Sequence, residues 1–488
     1  MTTRRRKQLH IGLAAYGTGW DLRAWRLPEA NNHGLIDPSV ITDIARIAER
    51  GKLDYIFAGS SLASDADSLQ RIHRWDTSVF AGYAAAVTRN VGFLVSVNSS
   101  FEHPFTVARQ VATLDNFSRG RVALNVVFGI DRSGHPELNY EGENLPDEQS
   151  KYVRAREFTV ALNQLLHSWD RDFVLDDKEG GTLVRPGSWH TIDFRGEFFN
   201  VRGPLNAPPP VQQQIANVHV GMSPESLDYG ADLAHVRFSP YFGLEIGREH
   251  YRSHKQRVSD RGRDPEAFKI IPGITPFVGG TLREAREKFR EVQAFQVTTQ
   301  LPAAYSRAFG LNLREINESE RVLDVIDTDT IGADSLKQLV SDQAHRTSRL
   351  AGQERTADDD ARWLRDVVIP TLGEDLTLAD LYRFTLSNRY SQGAVVGDAA
   401  TIATWLETHL EEEALDGIQI FPPYHRGPAD AFVDQVVPEL QRRGIFRTEY
   451  EHDTLAETLG IAADARIPKP ASSTQSEHSD EQAEQDAA

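Results

Sequence analysis

The polar side chains of this sequence best placed to bind a ligand stand just after short apolar runs. Gly59-Ser60-Ser61, Asn98-Ser99-Ser100 and Asn125 each end or follow such a run, and Gly221-Met222-Ser223 follows another and opens a helical pattern. Hydroxyls, side-chain amides and the N–H groups of a helix start can hold an anion or the polar edge of a ring, and the same groups also serve as turn and helix caps. In GMSPESL, residues 221–227, Ser223 can cap the helix or share a phosphate with backbone N–H groups. In LPDEQSKYVRAREF, residues 145–158, the Tyr152 phenol can reach a phosphate oxygen or pack one edge of a helix. One turn earlier, Glu148 reads as an amino-terminal helix acid, or as an acid or base if burial raises its pKa.

These residues need elements that bring them together. Apolar or alternating runs at residues 9–16, 53–59, 91–97, 121–127, 216–221, 234–239, 268–274 and 416–421 read as strands, and residues 40–52 and 105–118 read as helices between them. Strand and helix taking turns implies βα units around a parallel sheet, and eight strands suggest closure into a (β/α)8 TIM barrel. A closed parallel barrel puts all the strand ends on one rim. Long segments at about 129–210 and 297–391 interrupt the rhythm, and insertions at carboxyl strand ends build or cover a site. The run WHTIDFRGEFFNVRGPL, residues 189–205, has the aromatic and β-branched content of a hairpin. The expected organisation is one barrel domain over 1–460 with these insertions, then a disordered acidic tail over 461–488 that has few apolar groups to bury.

The 488 residues carry 53 basic and 71 acidic side chains, a formal charge of −18. That balance argues against nucleic acid or an anionic membrane as partner. No apolar stretch is long enough to span a bilayer, and the basic MTTRRRKQ start lacks a following signal-peptide core, so a cytoplasmic protein is expected. Cysteine is absent, which excludes disulfides and thiolate chemistry. The 16 histidines form no metal-binding pattern; His219 and His235 stand out for lying in or beside strands, where a structural role is equally open. Neither a GxGxxG after the first strand nor a Walker-type phosphate loop is present.

LHIG, WRLPEA, AERGKLDYIF, HPFTVARQVATLDNFSRGRVALNVV, YVRAREF, HTIDFRGEFFNVRGPL, KIIPGITPFVGGTLREA and FVDQVVPELQRRGIFRTEYEHDTLAETLG occur in order from about residue 9 to residue 460. Together they resemble the bacterial luciferase-like flavin monooxygenases, in the nitrilotriacetate and dibenzothiophene-sulfone monooxygenase branch. The resemblance implies a TIM barrel, a homo-oligomer, and FMN taken up as FMNH2 from a separate NAD(P)H-dependent flavin reductase. It implies O2 activated as a flavin C4a-peroxide that oxygenates a small organic substrate, with no protein nucleophile and no assigned catalytic side chain. It also implies flavin contacts at Ser60, Asn98, Glu148, Tyr152, Gly221, Met222 and Ser223. Ser223, Tyr152 and the backbone near Gly221 would serve the phosphate, and Ser60 and Asn98 would lie nearer the ribityl chain or ring.

The departures from the family pattern fall in the site. YIFAGS places Ser60 where an acid is usual, with Ser96 or Asn98 at the small hydroxyl position of the third strand end. EQSKY puts Glu148 at the histidine position of HxxRY, and GMSPES puts Ser226 in place of a glycine. Trp20 and Asp21 stand where the family has a histidine before the WR motif, and an aromatic ring there can stack on a ligand or pack the rim. These changes keep two other readings open: a deazaflavin-dependent oxidoreductase on the same barrel, and a divergent, non-catalytic interaction protein. A hydrolytic barrel would need paired carboxylates, and no strand-end pair is compelling.

Overall fold

Short strands rich in Val, Ile, Leu and Phe and buried on both faces are stable only where helices cover the outside of a parallel sheet. The computed structural model describes residues 7–21, 23–62, 75–128, 139–140, 150–221, 223–240, 243–309, 311–326, 367–387 and 393–461. Its main strands are β1 (His10–Ala15), β2 (Tyr55–Ala58), β3 (Gly92–Asn98) and β4 (Val122–Val127). Two small hairpins follow, β5 (Val174–Asp177) with β6 (Thr182–Val184) and β7 (Phe194–Arg195) with β8 (Asn200–Val201). The chain then forms β9 (Ala216–Val220), β10 (Val236–Ser239), β11 (Lys269–Val278), β12 (Gly393–Gly397) and β13 (Gly417–Ile420).

The order β10-β9-β4-β3-β2-β1-β13-β11, closed by pairing of β10 with β11, makes an eight-stranded parallel barrel. Each expected strand is found, and β11 runs four residues beyond its expected end. That extension pairs Ile274–Val278 with β12, a ninth strand beside the barrel that the sequence reading lacked. The hairpin expected within residues 189–205 is β7–β8.

Helices α1 (Ser39–Arg50), α2 (Thr77–Ala86) and α3 (Pro104–Ser118) cover the outside of the first half. Alternation along each strand separates two cores. Leu124 and Val126 face the helix layer, whereas Ala123 joins Ala14, Tyr16, Tyr55, Phe57, Leu94, Val218 and Phe421 inside the barrel. Ile461, the first residue of the expected tail, packs into this interior group, and residues 462–488 lie outside the described set.

At the amino-terminal end of the barrel, Asp54 ties three distant segments together. Its carboxylate accepts from the Ile11 amide at 2.6 Å, and lies 2.9 Å from His10 Nδ1 and 2.7 Å from Arg447 Nη2. Burial pushes its pKa up, but the charges of Arg447 and His10 together outweigh burial and hold it below the usual value. A carboxylate with a depressed folded pKa contributes stability above its unfolded pKa and loses it as pH falls through the folded one. Asp54→Asn is therefore expected to cost about 3 kcal/mol at neutral pH. Urea unfolding should show that deficit shrinking below roughly pH 4.

Candidate functional site

The carboxyl ends of the strands form the mouth, and its wall is mostly aromatic. Tyr16, just after β1, lies 5.2 Å from the Trp20 ring, which in turn lies 4.8 Å from Phe421 after β13. Phe57 of β2 meets Phe238 of β10 edge-on at 5.3 Å. Trp20 thus packs in the rim, held by its amide donating to the Pro422 carbonyl at 2.8 Å. Val220 ends β9 on the inward face yet is 46% exposed, so the mouth is open on that side.

Two polar groups stand among these rings. Ser96 of β3 donates to the Ala58 carbonyl at 3.1 Å and accepts from Asn125 Nδ2 of β4 at 3.1 Å. Asn125 shares the inward face with Ala123, and its Oδ1 is buried with no hydrogen-bond partner among the described residues. An unsatisfied buried acceptor is costly unless a ligand donor or water reaches it. Asn98 lies one step farther out, and its side chain serves a turn, accepting from the Ser100 amide at 3.0 Å. Its own amide is taken by the Glu102 carboxylate, whose pKa burial raises. Ser60 is half-buried two residues beyond β2.

A second set of contacts lies beside the mouth, where α4 (Ser150–Leu166) meets α5 (Pro224–Leu233). Tyr152 Oη and Ser223 Oγ are 2.7 Å apart across 71 residues of sequence. Ser223 caps α5, its hydroxyl accepting from the Ser226 amide at 3.2 Å. The Lys151 ammonium lies 5.4 Å from the centre of the Tyr152 ring. Arg154 is turned elsewhere, donating to the Ser99 carbonyl at 2.9 Å and lying over Phe199. Two hydroxyls, a lysine and a helix amino terminus therefore share one corner, the chemistry that receives an anion. Gly221 adopts φ +135°, and a Cβ there would fall 2.3 Å from Ser226 Oγ, which explains the glycine. Glu148 and Met222 lie outside the described residues.

The supporting residues were harder to foresee. His219 on β9 is turned away from the mouth, its ring stacked on Phe128 at 4.9 Å and 12°, with Nε2 2.8 Å from Ser226 Oγ. Burial pushes its pKa down to about 3, aided by the charge of Arg237, so the imidazole is neutral. Tyr229 packs on the same histidine at 4.7 Å and is fixed by Thr159 of α4 at 2.6 Å. His235 accepts from the Asn217 amide through Nδ1 at 3.1 Å, a link between strands. Asp21 is half-buried, and desolvation raises its pKa although it accepts from the Arg23 amide at 2.8 Å and from Gln296 at 2.8 Å. Only the position of His219 on a strand hinted at its place. Phe128 and Tyr229 read as ordinary core.

Among curated proteins, the chain is 31% identical to N-acetyl-S-(2-succino)cysteine monooxygenase of Bacillus subtilis (strain 168), over 94% of this chain and 98% of that one. It is 31% identical to nitrilotriacetate monooxygenase component A of Aminobacter aminovorans, over 93% of this chain and 97% of the relative. Among solved structures, EDTA monooxygenase from Chelativorans sp. BNC1 shares the fold with a TM-score of 0.73 at 22% identity, covering 94% of this chain and 99% of the other. A riboflavin lyase solved with modified FMN and riboflavin shares it with a TM-score of 0.70 at 23% identity, covering 93% and 96%. The luciferase-like monooxygenase family model matches residues 20–364, and the chain belongs to that family.

Proposed function

We propose that this chain is the oxygenating component of a two-component, cytoplasmic monooxygenase that binds FMN as FMNH2 and uses O2 to oxygenate a small organic molecule. The observation that carries the reading is the Tyr152–Ser223 hydrogen bond at the start of α5, because it brings two hydroxyls to a helix amino terminus beside an aromatic mouth. The residues fit the cofactor at both ends. Tyr152, Ser223 and Lys151 would receive the phosphate, flanked in sequence by Glu148, Gly221 and Met222. Asn125 Oδ1, buried and unsatisfied, would accept from a ring N–H, with Ser96 setting its orientation. Ser60 and Asn98 would line the path between ring and phosphate. The bound flavin supplies the electrons that activate dioxygen, one atom going to the substrate and the other leaving as water. The protein's part is to orient the ring and to keep water from it with Trp20, Phe57, Phe238 and Phe421.

Reduced flavin would come from a separate NAD(P)H-dependent reductase, a reading supported by the name "component A" borne by one relative. The relatives' names span an amine polyacid, a thioether, a sulfone and a long-chain alkane, which supports a small organic substrate, apolar or heteroatom-bearing. A homo-oligomer is supported by α2, which is apolar on its outer as well as its inner face. Val79 and Tyr83 on that face are 73% and 44% exposed, and Phe117 of the adjoining α3 is 81% exposed. A helix apolar all round belongs in an interior, and pairing with a second copy would provide one.

Anaerobic titration with FMNH2, followed by mixing with oxygenated buffer, tests the cofactor reading. Tight binding and a slowed, multi-step reoxidation relative to free reduced flavin are expected. Absence of binding in folded protein would turn the reading to a deazaflavin. Tyr152→Phe and Ser223→Ala should each weaken FMNH2 roughly tenfold or more, as for a lost hydrogen bond to a charged group. Reduced riboflavin, which lacks the phosphate, should bind each variant as it binds the wild type. For the oligomer, Val79→Glu/Tyr83→Glu should move the mass in light scattering toward that of a monomer, and a wild type already monomeric would refute it.

A further inference from the structure

Five side chains around the anion corner form a closed circuit of contacts. Starting at Ser223, the hydroxyl meets Tyr152 Oη at 2.7 Å, and the Tyr152 ring meets Phe128 edge-on at 4.9 Å. Phe128 stacks on His219 at 4.9 Å, His219 Nε2 meets Ser226 Oγ at 2.8 Å, and the Ser226 amide returns to Ser223 Oγ at 3.2 Å. One arm runs through α4 and the other through β9, and both end on the same oxygen. His219 is 2% exposed and clustered with Phe128 and Tyr229, each pair of ring centres within 4.9 Å, which leaves the imidazole little room to turn.

We propose that His219 and Ser226 are a positioning pair for the phosphate seat, fixing the first turn of α5 so that Ser223 Oγ faces Tyr152. Neither residue touches the ligand. The Ser226 hydroxyl, at the position where the resembled pattern has glycine, is turned down to His219 and away from the seat. Gly221 is constrained by the same pair, since a Cβ would strike Ser226 Oγ. The departure at Ser226 is thereby absorbed within the protein. A hydroxyl bonded to a rigid ring holds the turn where a glycine would leave it looser.

The inference rests on the proposed FMN site, and the test separates the two. Anaerobic dissociation constants for FMNH2 and for reduced riboflavin are measured on the full chain as wild type, Ser226→Ala, His219→Phe, the double variant and His219→Gln. Ser226→Ala removes one oxygen and keeps the test open should His219→Phe fail to fold. Each single variant is expected to weaken FMNH2 roughly fivefold while leaving reduced riboflavin within about twofold. The double variant should be no worse than either single one, because the two share one bond. His219→Gln, which keeps a hydrogen-bonding end, should recover part of the loss. Equal losses for both ligands would mean general loosening and would overturn the pair. So would unchanged FMNH2 affinity in the single variants when the wild type prefers FMNH2 to reduced riboflavin. A wild type that binds both ligands alike would remove the phosphate seat itself, and the pair with it.

Discussion

A closed parallel barrel gives each strand residue only two destinations, the interior or the helix layer, and parity along the strand decides which. Pairing of β10 with β11 closes the sheet, and closure fixes that parity for every strand at once. Asn125 reaches the interior because Leu124 and Val126 are committed to the helices. On β9 the same rule turns His219 outward and leaves Val218 and Val220 facing in. The mouth and the anion corner are thus two faces of one sheet. Val220 opens onto the first, and His219 braces the second one residue away.

This explains why the scaffold could be read from the chain. Strands such as residues 121–127 are apolar on both faces, and helices such as 105–118 carry their apolar residues at helical spacing, so both patterns point to the same architecture. Residues 393–397, GAVVG, were missed for a physical reason. The segment is short, two of its five residues are glycine, and it is a strand only because β11 extends far enough to pair with it. The site was legible in a different way. That polar groups cluster at strand ends followed from the barrel, but the pairing of Tyr152 with Ser223 came from family resemblance. No spacing rule joins a helix in an insertion to a cap 71 residues later. Between Ser96 and Asn98, which share the inward parity, depth separates them. Ser96 lies within the ladder beside Asn125, and Asn98 ends it and serves the next turn.

An acidic protein that offers a seat to an anion must keep its own carboxylates from opposing the ligand. Helix α5 shows how. It carries Glu225 in its first turn, exposed to water that screens it, and Asp228 and Asp232 one turn apart farther along, which would weaken the positive end of the helix if left as bare charges. Asp228 is paired with Arg257 and Arg261 of the following helix, Leu244–Ser259 and its end, at 2.6 Å each. Asp232 is paired with Arg156 of α4 at 2.7 Å and with Arg261. These pairs are partly exposed, so each contributes little stability. Their effect is local: Asp228 and Asp232 are matched by arginines on the two helices flanking α5, and Lys151 stands at the opposite end beside Tyr152. The net charge of −18 therefore says little about this corner, where the potential is set by which carboxylates lie nearby and what they are paired with.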